Sequence, residues 1–420
     1  MARLSCSRAG ASLRGYDMAL PLAVFLLAAL LSFRARAEPI DVKIGVLTDL
    51  RGVYSDGSGL GSVEAAKMAA EDFTEAHAGF AVEIISGDHQ NQPDIGLTLA
   101  RGWYEREGVH AIADVPGSNI ALAVSALTRA ANKVLLVTSS GAMALTGEQC
   151  SPNTVLWTFD SWALAHGTAA TLVHRGLDTW FFVTADYVFG HSTERFASEV
   201  VEAAGGKVLG AIRHPPNHAD FASELLSADA SGAKVIAFAS AGGDMINAIK
   251  QAAAFDLPAK GKTLAALPIF LVGVHALGLE TAQGLILTSP FYWDQDEASR
   301  AFAKRFAARR RGRYPSETHA GVYSAVMLYL ESVRKLDSPS DGAAIVAEMR
   351  AKGQYEDLLF GRTWLRTDGR ATHPMHLAEV KRPSQSKAPW DYYNILTTIP
   401  PEQAARPLAE SKAAGCELVP

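Results

Sequence analysis

The stretch VKIGVLTDLRGVYSDGSGLGSVEAAKMAAEDFTEA, Val42–Ala76, indicates the class of fold. It begins with VKIGVL, a short apolar run of strand length that is typical of a strand buried on both faces. From Ser62 onward the apolar residues recur with helical spacing, and serine is a favoured N-cap residue. A buried strand followed by an amphipathic helix predicts the first unit of a parallel α/β sheet.

The same alternation continues outward from this stretch. Strands are predicted at Ala81–Ser86, 111–115 and Val134–Thr138, with helices at Asp94–Glu107 and Ile120–Ala131. After an irregular segment, strands are predicted at Thr179–Thr184, Lys207–Ile212, Lys234–Ala239 and Ile269–Gly273, with helices over Ala163–Arg175, near Gly190, near Phe221 and over Asp244–Ala254. Two tandem α/β units, each a parallel sheet covered by helices, are therefore expected.

The last third of the chain has a different pattern. Helices are predicted at Glu297–Arg311, Ala320–Lys335 and Asp341–Ala351. The segment 361–381 predicts a closing hairpin, because Asp368 and Gly369 form a strong turn signal between two strand-like runs.

The first 37 residues predict a secretory signal peptide. Basic residues precede an apolar run at 18–32, and the small-residue motif ARA at 35–37 suits cleavage before Glu38. The alternative is a membrane anchor, for which the run is short. Removal of residues 1–37 takes away five Arg and one Asp, so the formal net charge falls from −5 to −9. Such an acidic chain is not expected to bind nucleic acid.

Two cysteines, Cys150 and Cys416, remain in the mature chain. An even number of cysteines in an exported protein favours a disulfide. We therefore predict a Cys150–Cys416 bond that ties the C-terminal tail to the body. The alternative is two free thiols.

The glycines of DGSGLGS, 56–62, suggest a nucleotide loop at first sight. The dinucleotide fingerprint is G-x-G-x-x-G in a tight turn directly after the first strand. Here the spacing is G-x-G-x-G, and Gly57 lies ten positions after the end of the strand, Leu47. We therefore interpret the stretch as a wide loop whose glycines let a ligand and the opposite α/β unit approach the backbone.

Motifs for catalysis or metal binding are weak in this sequence. His214 and His218 have metal-like spacing with Asp220, but two prolines between the histidines prevent a helix from presenting them together. The segment SSGA, 139–142, lacks the frame of a nucleophile elbow. We predict no catalytic residues, no metal site and no cofactor.

Small polar residues follow the predicted strands of the first unit, and aromatic residues follow those of the second. GSN, 117–119, and SSGA, 139–142, come directly after strands. In a parallel α/β sheet, ligands bind beyond the carboxyl ends of the strands, where helix N-termini offer N–H groups to anions. These loops therefore predict a carboxylate site, with plain helix capping by Ser118 as the alternative. Aromatic residues in the second unit are expected to line an apolar cleft.

Together these landmarks resemble the type I periplasmic binding proteins of ABC transporters, of the leucine/isoleucine/valine-binding class. The order and spacing of GSNIALAVS, LLVTSSGA, TADYVFG, GLILTSPFYWD and AGVYSAVMLYL carry the resemblance. It implies two doubly wound parallel-sheet α/β lobes joined by a three-crossing hinge, a periplasmic monomer that traps a small solute by hinge closure, and membrane permease subunits as partners.

The resemblance also implies ligand-binding positions. They are Tyr54, Asp56, Ser118, Asn119, Ser139, Ser140, Gly141, Ala142, and Tyr187 or Phe189. Amino-acid binders of the family carry an acid after FLV to pair the ligand's ammonium, but here that segment is FLVGVHALG, 270–278. Asp244 or Asp186 could substitute. Otherwise the ligand lacks an amine, and an organic acid, with an aromatic one favoured, is expected over a free amino acid; His275 could hydrogen-bond its distal polar end.

The expected domains are residues 38–158 plus 289–352 for the first lobe, 159–288 plus 353–400 for the second, and a tail at 401–420. Two other functions stay open from the sequence: a ligand-sensing subunit of a receptor, and an exported α/β enzyme.

Overall fold

The computed structural model describes residues 1–5, 10 and 39–419. The chain divides after Pro39 into two units, and everything below concerns the second. The predicted signal peptide, 1–37, lies outside the described residues except for 1–5 and 10. Within the described part, every helix is too short or too polar to span a bilayer.

The first lobe is built on a five-stranded parallel sheet with the order β2-β1-β3-β4-β5. Its strands are β1 (Ile40–Thr48), β2 (Phe80–Asp88), β3 (Ala111–Asp114), β4 (Val134–Val137) and β5 (Thr154–Leu156). The helices that follow the first three strands are α1 (Gly59–Ala76), α2 (Pro93–Arg106) and α3 (Ser118–Ala130). The buried side chains of β1 alternate between two cores: Ile44 and Val46 pack against α1, and Leu47 packs against α2 and α3.

The second lobe is built on a seven-stranded sheet with the order β15-β14-β10-β9-β8-β6-β7. Its strands are β6 (Thr179–Ala185), β7 (Lys207–His214), β8 (Val235–Ala239), β9 (Thr263–Ala266), β10 (Ile286–Ser289), β14 (Met375–Val380) and β15 (Tyr393–Ile399). Its helices are α4 (Ser161–His174), α5 (Val188–Ala203), α6 (Ala222–Ala230), α7 (Gly242–Ala254), α8 (Leu271–Leu277) and α9 (Leu279–Ala282). Strands β14 and β15 are antiparallel to their neighbours, and the other pairs are parallel.

After β10 the chain returns to the first lobe. Helices α10 (Glu297–Arg309), α11 (Glu317–Leu336) and α12 (Gly342–Ala351) bury Phe302, Tyr329 and Ile345 in its core. They are followed by a small antiparallel sheet of β11 (Tyr355–Asp357), β12 (Gly361–Leu365) and β13 (Ala371–Thr372). The predicted turn at Asp368 and Gly369 connects β12 to β13.

This small sheet corrects the expected domain boundary. The sequence predicts that 353–400 belongs to the second lobe, but Leu359, Phe360, Leu365 and Ala371 belong to the hydrophobic core of the first lobe. Their apolar side chains cover the sheet and helices of that lobe, so the chain returns to the second lobe only at β14, Met375. The hairpin was predicted from its turn, but a turn signal carries no information about which lobe the hairpin packs on.

Three chain segments join the lobes: 157–160 between β5 and α4, 290–296 between β10 and α10, and 373–374 between β13 and β14. The predicted α/β fold of two lobes with a three-crossing hinge is therefore confirmed. A further connection comes from the tail, which leaves the second lobe after β15, forms α13 (Leu408–Ala413), and ends near a disulfide between Cys416 and Cys150 of the first lobe.

One predicted strand is wrong. The strand placed at Ile269–Gly273 lies earlier, at Thr263–Ala266, and Leu271–Leu277 is helical. The apolar run extends from Leu264 to Val274 with little interruption, so periodicity could not choose its boundaries. Pro268 has no N–H for a sheet ladder, so the strand ends before it.

Candidate functional site

A cleft of about 200 Å³ lies between the lobes, at the carboxyl ends of their parallel strands. Its walls are formed by loops that follow β1, β3 and β4 in the first lobe and β6, β8 and β9 in the second. The residues that line it are Gly52, Val53, Tyr54, Ser55, Asp56, Gly57, Ser58, Pro116, Gly117, Ser118, Ser139, Ser140, Gly141, Phe159, Tyr187, Phe189, Ala241, Gly242, Gly243, Met245, Ile246, Pro268, Ile269, Phe270, Val272, Gly273 and Thr318.

The apolar part of the cleft is formed mainly by the second lobe and the hinge. The ring of Phe159, in the first crossing, lies 5.1 Å from the ring of Phe270 between centroids. Phe189 packs so closely over Gly141 that a Cβ at that glycine would lie 2.7 Å from its ring. Aromatic and aliphatic walls of this kind suit an apolar ligand body.

The polar part lies on the first lobe, where α3 begins. Gly117 precedes the helix with φ of +92°, a conformation that favours glycine, and Ser118 is the first helical residue. The N–H groups in the first turn of a helix have no partners within the helix, and they carry a partial positive charge. The Ser140 hydroxyl donates to the Ser118 hydroxyl at 3.4 Å, so two loops present hydroxyls to the same part of the cleft.

A buried acid holds the second of these loops. The hydroxyls of Ser139 and Thr138 both donate to Oδ1 of Asp114, the latter at 3.3 Å. Burial raises the pKa of Asp114 to about 6, although these hydrogen bonds oppose the shift. Asp114 does not line the cleft, so its role there is to orient Ser139.

The two lobes contact each other across the mouth of the cleft. The Tyr54 hydroxyl donates to the Tyr187 hydroxyl at 3.3 Å, and burial raises the pKa of Tyr54 to about 12. The Gly243 N–H donates to the Val53 carbonyl at 3.3 Å. Gly242 has φ of +60°, and a Cβ there would lie 2.3 Å from the same carbonyl oxygen, so this approach requires glycine. The lobes are therefore closed around the cleft.

The loop 52–58, here named the rim loop, covers the cleft from the first lobe. Asp49 holds its start by accepting hydrogen bonds from the N–H groups of Gly52 at 2.7 Å and Tyr54 at 3.1 Å. Helix α1 begins at Gly59, so the prediction that Ser62 starts it is wrong by three residues. Gly59 has φ of +51°, which lets the chain turn into the helix earlier than the serine indicated.

The glycines of this region have separate roles. A Cβ on Gly61 would lie 2.2 Å from the His319 ring, so that glycine admits a first-lobe side chain rather than the opposite lobe. Gly57 lines the cleft, and a Cβ there would approach Val272 of the second lobe at 3.9 Å. No phosphate-binding turn is formed, because β1 ends at Thr48, eleven residues before α1.

Most of the predicted ligand-binding residues lie together at the cleft. Those that line it are Tyr54, Asp56, Ser118, Ser139, Ser140, Gly141, Tyr187 and Phe189. Ala142 is completely buried behind the loop and does not line the cleft. Asp56 lies at the exposed rim, where Arg313 of the same lobe donates to its carboxylate at 2.9 Å.

His275 does not line the cleft, contrary to its predicted role in ligand binding. Its ring stacks on Trp390, with centroids 3.9 Å apart, and its Nδ1 lies 2.7 Å from the Tyr392 hydroxyl, outside the cleft. The segment was predicted to be a strand end, but it is helical, and Val272 and Gly273 line the cleft instead. His275 lies two positions after Gly273, and residues two apart in a helix point to different sides, so its side chain leaves the side on which Gly273 lines the cleft.

Asn119 and Asp244 line a second, adjoining cavity of about 190 Å³, which shares Tyr54, Tyr187 and Ser118 with the cleft. Asp244 is 6% exposed, and its Oδ2 accepts a hydrogen bond from the Asn217 N–H at 2.9 Å. Burial raises the pKa of Asp244. Asp186, the other suggested acid, lies outside both cavities and pairs with His191.

Several apolar residues of the cleft are not among the positions predicted from the sequence: Val53, Pro116, Phe159, Met245, Ile246, Pro268, Ile269, Phe270 and Val272. The place of Phe159 in the cleft could have been predicted from the sequence, because it lies in the irregular segment that joins the two predicted units. The others are ordinary apolar residues whose exposure to the cleft depends on the packing of the lobes. Among the residues the structure describes, no three His, Cys, Asp or Glu side chains gather into a metal-binding group.

Comparisons with known proteins agree with this architecture. The sequence profile of the family described as Periplasmic binding protein matches residues 41–387. A crystal structure of a periplasmic binding protein from Burkholderia mallei is 44% identical, with a TM-score of 0.85 over 90% of this chain and 99% of its own. A branched chain amino acid ABC transporter periplasmic ligand-binding protein from Burkholderia xenovorans is 35% identical, with a TM-score of 0.80 over 90% of this chain and 100% of its own.

A curated relative, Leu/Ile/Val-binding protein homolog 6 from Brucella melitensis, is 26% identical over 78% of this chain and 84% of its own length. The family profile covers most of the chain, and the fold, the three crossings and the interlobe cleft are those of a type I binding protein. The chain therefore belongs to the periplasmic binding protein family and is a solute-binding protein.

Proposed function

We propose that the cleft captures a small organic acid with an apolar body, preferably an aromatic one, and no ammonium group. The observation that supports this most strongly is the composition of the cleft wall. It combines a serine-rich end on the first lobe with a largely apolar remainder, and Asp56 at the rim is the one Asp, Glu, His, Lys or Arg among the lining residues.

The serine-rich end suits a carboxylate. Ser118 begins the 13-residue helix α3, so the first-turn N–H groups can donate to an anion. The Ser118 hydroxyl adds a neutral donor, and the Ser140 hydroxyl, which donates to it, stands beside it on a different loop. Hydrogen bonds to an ionised acceptor are shorter and stronger than those to a neutral one, so a carboxylate is favoured over an uncharged group.

An ammonium group would have no buried counter-charge among the residues that line this cleft. The Asp56 carboxylate already accepts from Arg313, and its side chain is 62% exposed at the rim. A cation taken from water into an apolar cleft without a counter-charge costs several kcal/mol. An acid without an amine avoids that cost.

The second candidate ligand is a branched-chain amino acid. The specific observation in its favour is Asp244, an acid that is 6% exposed and lines the adjoining cavity together with Ser118, Tyr54 and Tyr187. An ammonium that entered this cavity while the carboxylate stayed near Ser118 would meet Asp244. The names of the Burkholderia xenovorans and Brucella relatives point the same way.

Matched pairs of acids separate the two candidates. Isothermal titration compares 3-phenylpropanoate with phenylalanine and 4-methylpentanoate with leucine, so each pair differs only by the amine. Benzoate and cinnamate are titrated beside them. We expect at least one amine-free acid to bind tightly and its amino acid to bind at least about tenfold more weakly. Tight leucine binding with no response to any amine-free acid would reject the proposal in favour of the second candidate.

We further propose that the closed cleft delivers its solute from the periplasm to the permease subunits of an ABC importer, that the chain acts as a monomer, and that it does not alter the solute. A receptor-sensing role uses the same cleft with a different membrane partner. Mass spectrometry of the solute released from the protein tests the last point: recovery of a modified molecule would indicate an enzyme. Co-purification with detergent-solubilised permease subunits tests the partner.

A further inference from the structure

Residues 316–319, SETH, form the first turn of α11 and its N-cap, and here they are named the SETH turn. On the side of the first lobe this turn holds the rim loop. The Ser316 hydroxyl donates to the Gly57 carbonyl at 2.7 Å, and Nε2 of His319 lies 2.9 Å from the Ser58 carbonyl. The wall of the cleft that belongs to the first lobe is thus fixed to the start of α11.

On its other side the same turn reaches the second lobe through Glu317. The carboxylate oxygens accept from the Leu271 N–H at 3.3 and 3.4 Å, and Oε1 accepts from the Ser289 hydroxyl at 2.9 Å. Leu271 directly follows Ile269 and Phe270, which line the cleft, and Ser289 ends β10 at the second crossing. The wall of the cleft that belongs to the second lobe is thus fixed to the same turn.

Glu317 is an unusual residue for this position. It is fully buried, and its contacts within the described residues are neutral hydrogen-bond donors with no Lys or Arg ion pair. An ionisable group in such surroundings is costly, and an apolar side chain of similar size is generally tolerated better. The carboxylate, however, accepts hydrogen bonds from the second lobe, which an apolar side chain could not do.

We propose that Glu317 is a positioning residue for solute capture: through the SETH turn it couples the rim loop to the segment 269–273, and so sets the closure of the two lobes. This rests on the proposed function in that closure is taken to be the step that traps the solute. Glu317 does not line the cleft, so it acts on the solute only through the walls that it holds.

The test measures closure directly and without a ligand. Spin labels are attached to Glu105→Cys on α2 and Glu199→Cys on α5, two side chains that are each 56% exposed on different lobes. Double electron–electron resonance then gives the interlobe distance for the parent chain, Glu317→Leu and Glu317→Gln. The leucine side chain has a volume similar to that of glutamate but no acceptor oxygen. The glutamine side chain keeps one of the two acceptor oxygens.

Asp357 offers a matched control. It is a partly buried acid that, like Glu317, accepts from a serine hydroxyl, here Ser324, and from backbone N–H groups, those of Leu359 at 2.9 Å and Phe360 at 3.1 Å. All of these partners belong to the first lobe. Asp357→Leu therefore removes the same kind of hydrogen bonds without touching the interlobe contact.

We expect Glu317→Leu to move the ligand-free distance distribution to longer distances, and Glu317→Gln and Asp357→Leu to leave it as in the parent chain. Where 3-phenylpropanoate binds, Glu317→Leu weakens its affinity about tenfold, because two donors lose their acceptor in the closed form. Should Glu317→Leu fail to fold, Ser289→Ala removes one of the same hydrogen bonds and is expected to shift the distances in the same direction by less.

An unchanged distribution in both Glu317→Leu and Ser289→Ala would overturn the proposal. So would an equal shift in Asp357→Leu, because the effect would then follow from general loosening of the first lobe. If the parent chain binds none of the acids tested, the proposed function fails, but the ligand-free distances still decide the role of Glu317.

Discussion

Nε of Arg370 lies 2.8 Å from Oδ2 of Asp160 inside the hinge, and each side chain is 2% exposed. The Arg370 guanidinium also donates to the Trp157 carbonyl at 2.6 Å, and the second oxygen of Asp160 accepts from the Ala163 N–H at 2.7 Å, where it caps α4. Arg370 immediately precedes β13 and the third crossing, and Asp160 ends the first. One buried ion pair thus joins the end of the first crossing to the hairpin that leads into the third.

We expect Arg370→Met to lower the free energy of unfolding by about 3–5 kcal/mol, because it leaves the Asp160 carboxylate buried without its counter-charge. Urea unfolding followed by circular dichroism measures the change. Arg362→Met is the control, since the Arg362–Glu402 pair has side chains that are 44% and 52% exposed. It is expected to cost less than about 1 kcal/mol. Similar losses for the two variants would show that the hinge pair contributes no more than a surface pair.

The disulfide gives the second prediction. Cys150 and Cys416 are 266 residues apart in sequence, and their bond connects the tail that leaves the second lobe to a loop of the first. We expect Cys416→Ser to lower the free energy of unfolding by about 2–5 kcal/mol, because the bond restricts the unfolded chain. Calorimetry of the parent chain with and without reductant provides the control. A reductant that lowers the melting temperature of Cys416→Ser as much as that of the parent would contradict this explanation.

The periodicity of apolar residues in the sequence was enough to predict the two sheets. The VKIGVL and TWFFVT strands are short apolar runs flanked by amphipathic helices, and parallel strands buried on both faces require that composition. In β6 the side chains of Trp180 and Phe181 enter different cores, so both must be apolar. The polar end of the cleft could be predicted in the same way, because Ser118 and Ser140 lie in the loops that follow buried strands.

The remaining features depend on contacts between segments that are distant in sequence. Leu264–Val274 is apolar throughout most of its length, and only its packing decides that His275 faces Trp390 rather than the cleft. Glu317 is the first residue of a helix, where an acid is common for its interaction with the helix dipole. Nothing in the sequence distinguishes it from an exposed acid, because its burial results from the second lobe closing over it.

Stability at different pH values gives the third prediction. Burial raises the pKa of Glu317 to about 7 from an ordinary value near 4.5, so the folded chain binds the proton more tightly than the unfolded chain. The contribution of Glu317 is therefore fully present below about pH 4.5 and is lost as the pH rises through about 7. Glu317→Gln removes this titration. We expect the stability of the parent chain relative to this variant to fall by about 2–3 kcal/mol between about pH 5 and about pH 8.

Comparison with the variant is needed because neighbouring groups titrate too. Burial lowers the pKa of His319 to about 4, so its contribution has the opposite sign and is lost as the pH falls below the ordinary histidine value. Burial also keeps the pKa of Tyr393 well above this range. Both residues are present in the parent and in Glu317→Gln, so their contributions cancel in the difference. A difference that stays constant with pH would mean that Glu317 is ionised in the folded protein over the whole range.

The contact between Tyr54 and Tyr187 gives the fourth prediction. Their hydroxyls are 3.3 Å apart and belong to different lobes, so the hydrogen bond exists only while the cleft is closed. Tyr54→Phe removes it but keeps the ring. The loss of about 1 kcal/mol from the closed form should raise the dissociation rate of a bound acid about three- to tenfold, with a smaller effect on association. Stopped-flow fluorescence with 3-phenylpropanoate measures both rates.

Asp56→Ala is the matched variant on the same loop. The Asp56 carboxylate pairs with Arg313 of its own lobe, and both side chains are more than 60% exposed, so opening the cleft does not break that pair. Exposed ion pairs contribute little, and the dissociation rate of Asp56→Ala should stay within about twofold of the parent. An increase in Asp56→Ala as large as that in Tyr54→Phe would mean that the solute interacts with the charged rim itself. Closure would then depend on the electrostatics of the rim loop rather than on the tyrosine pair.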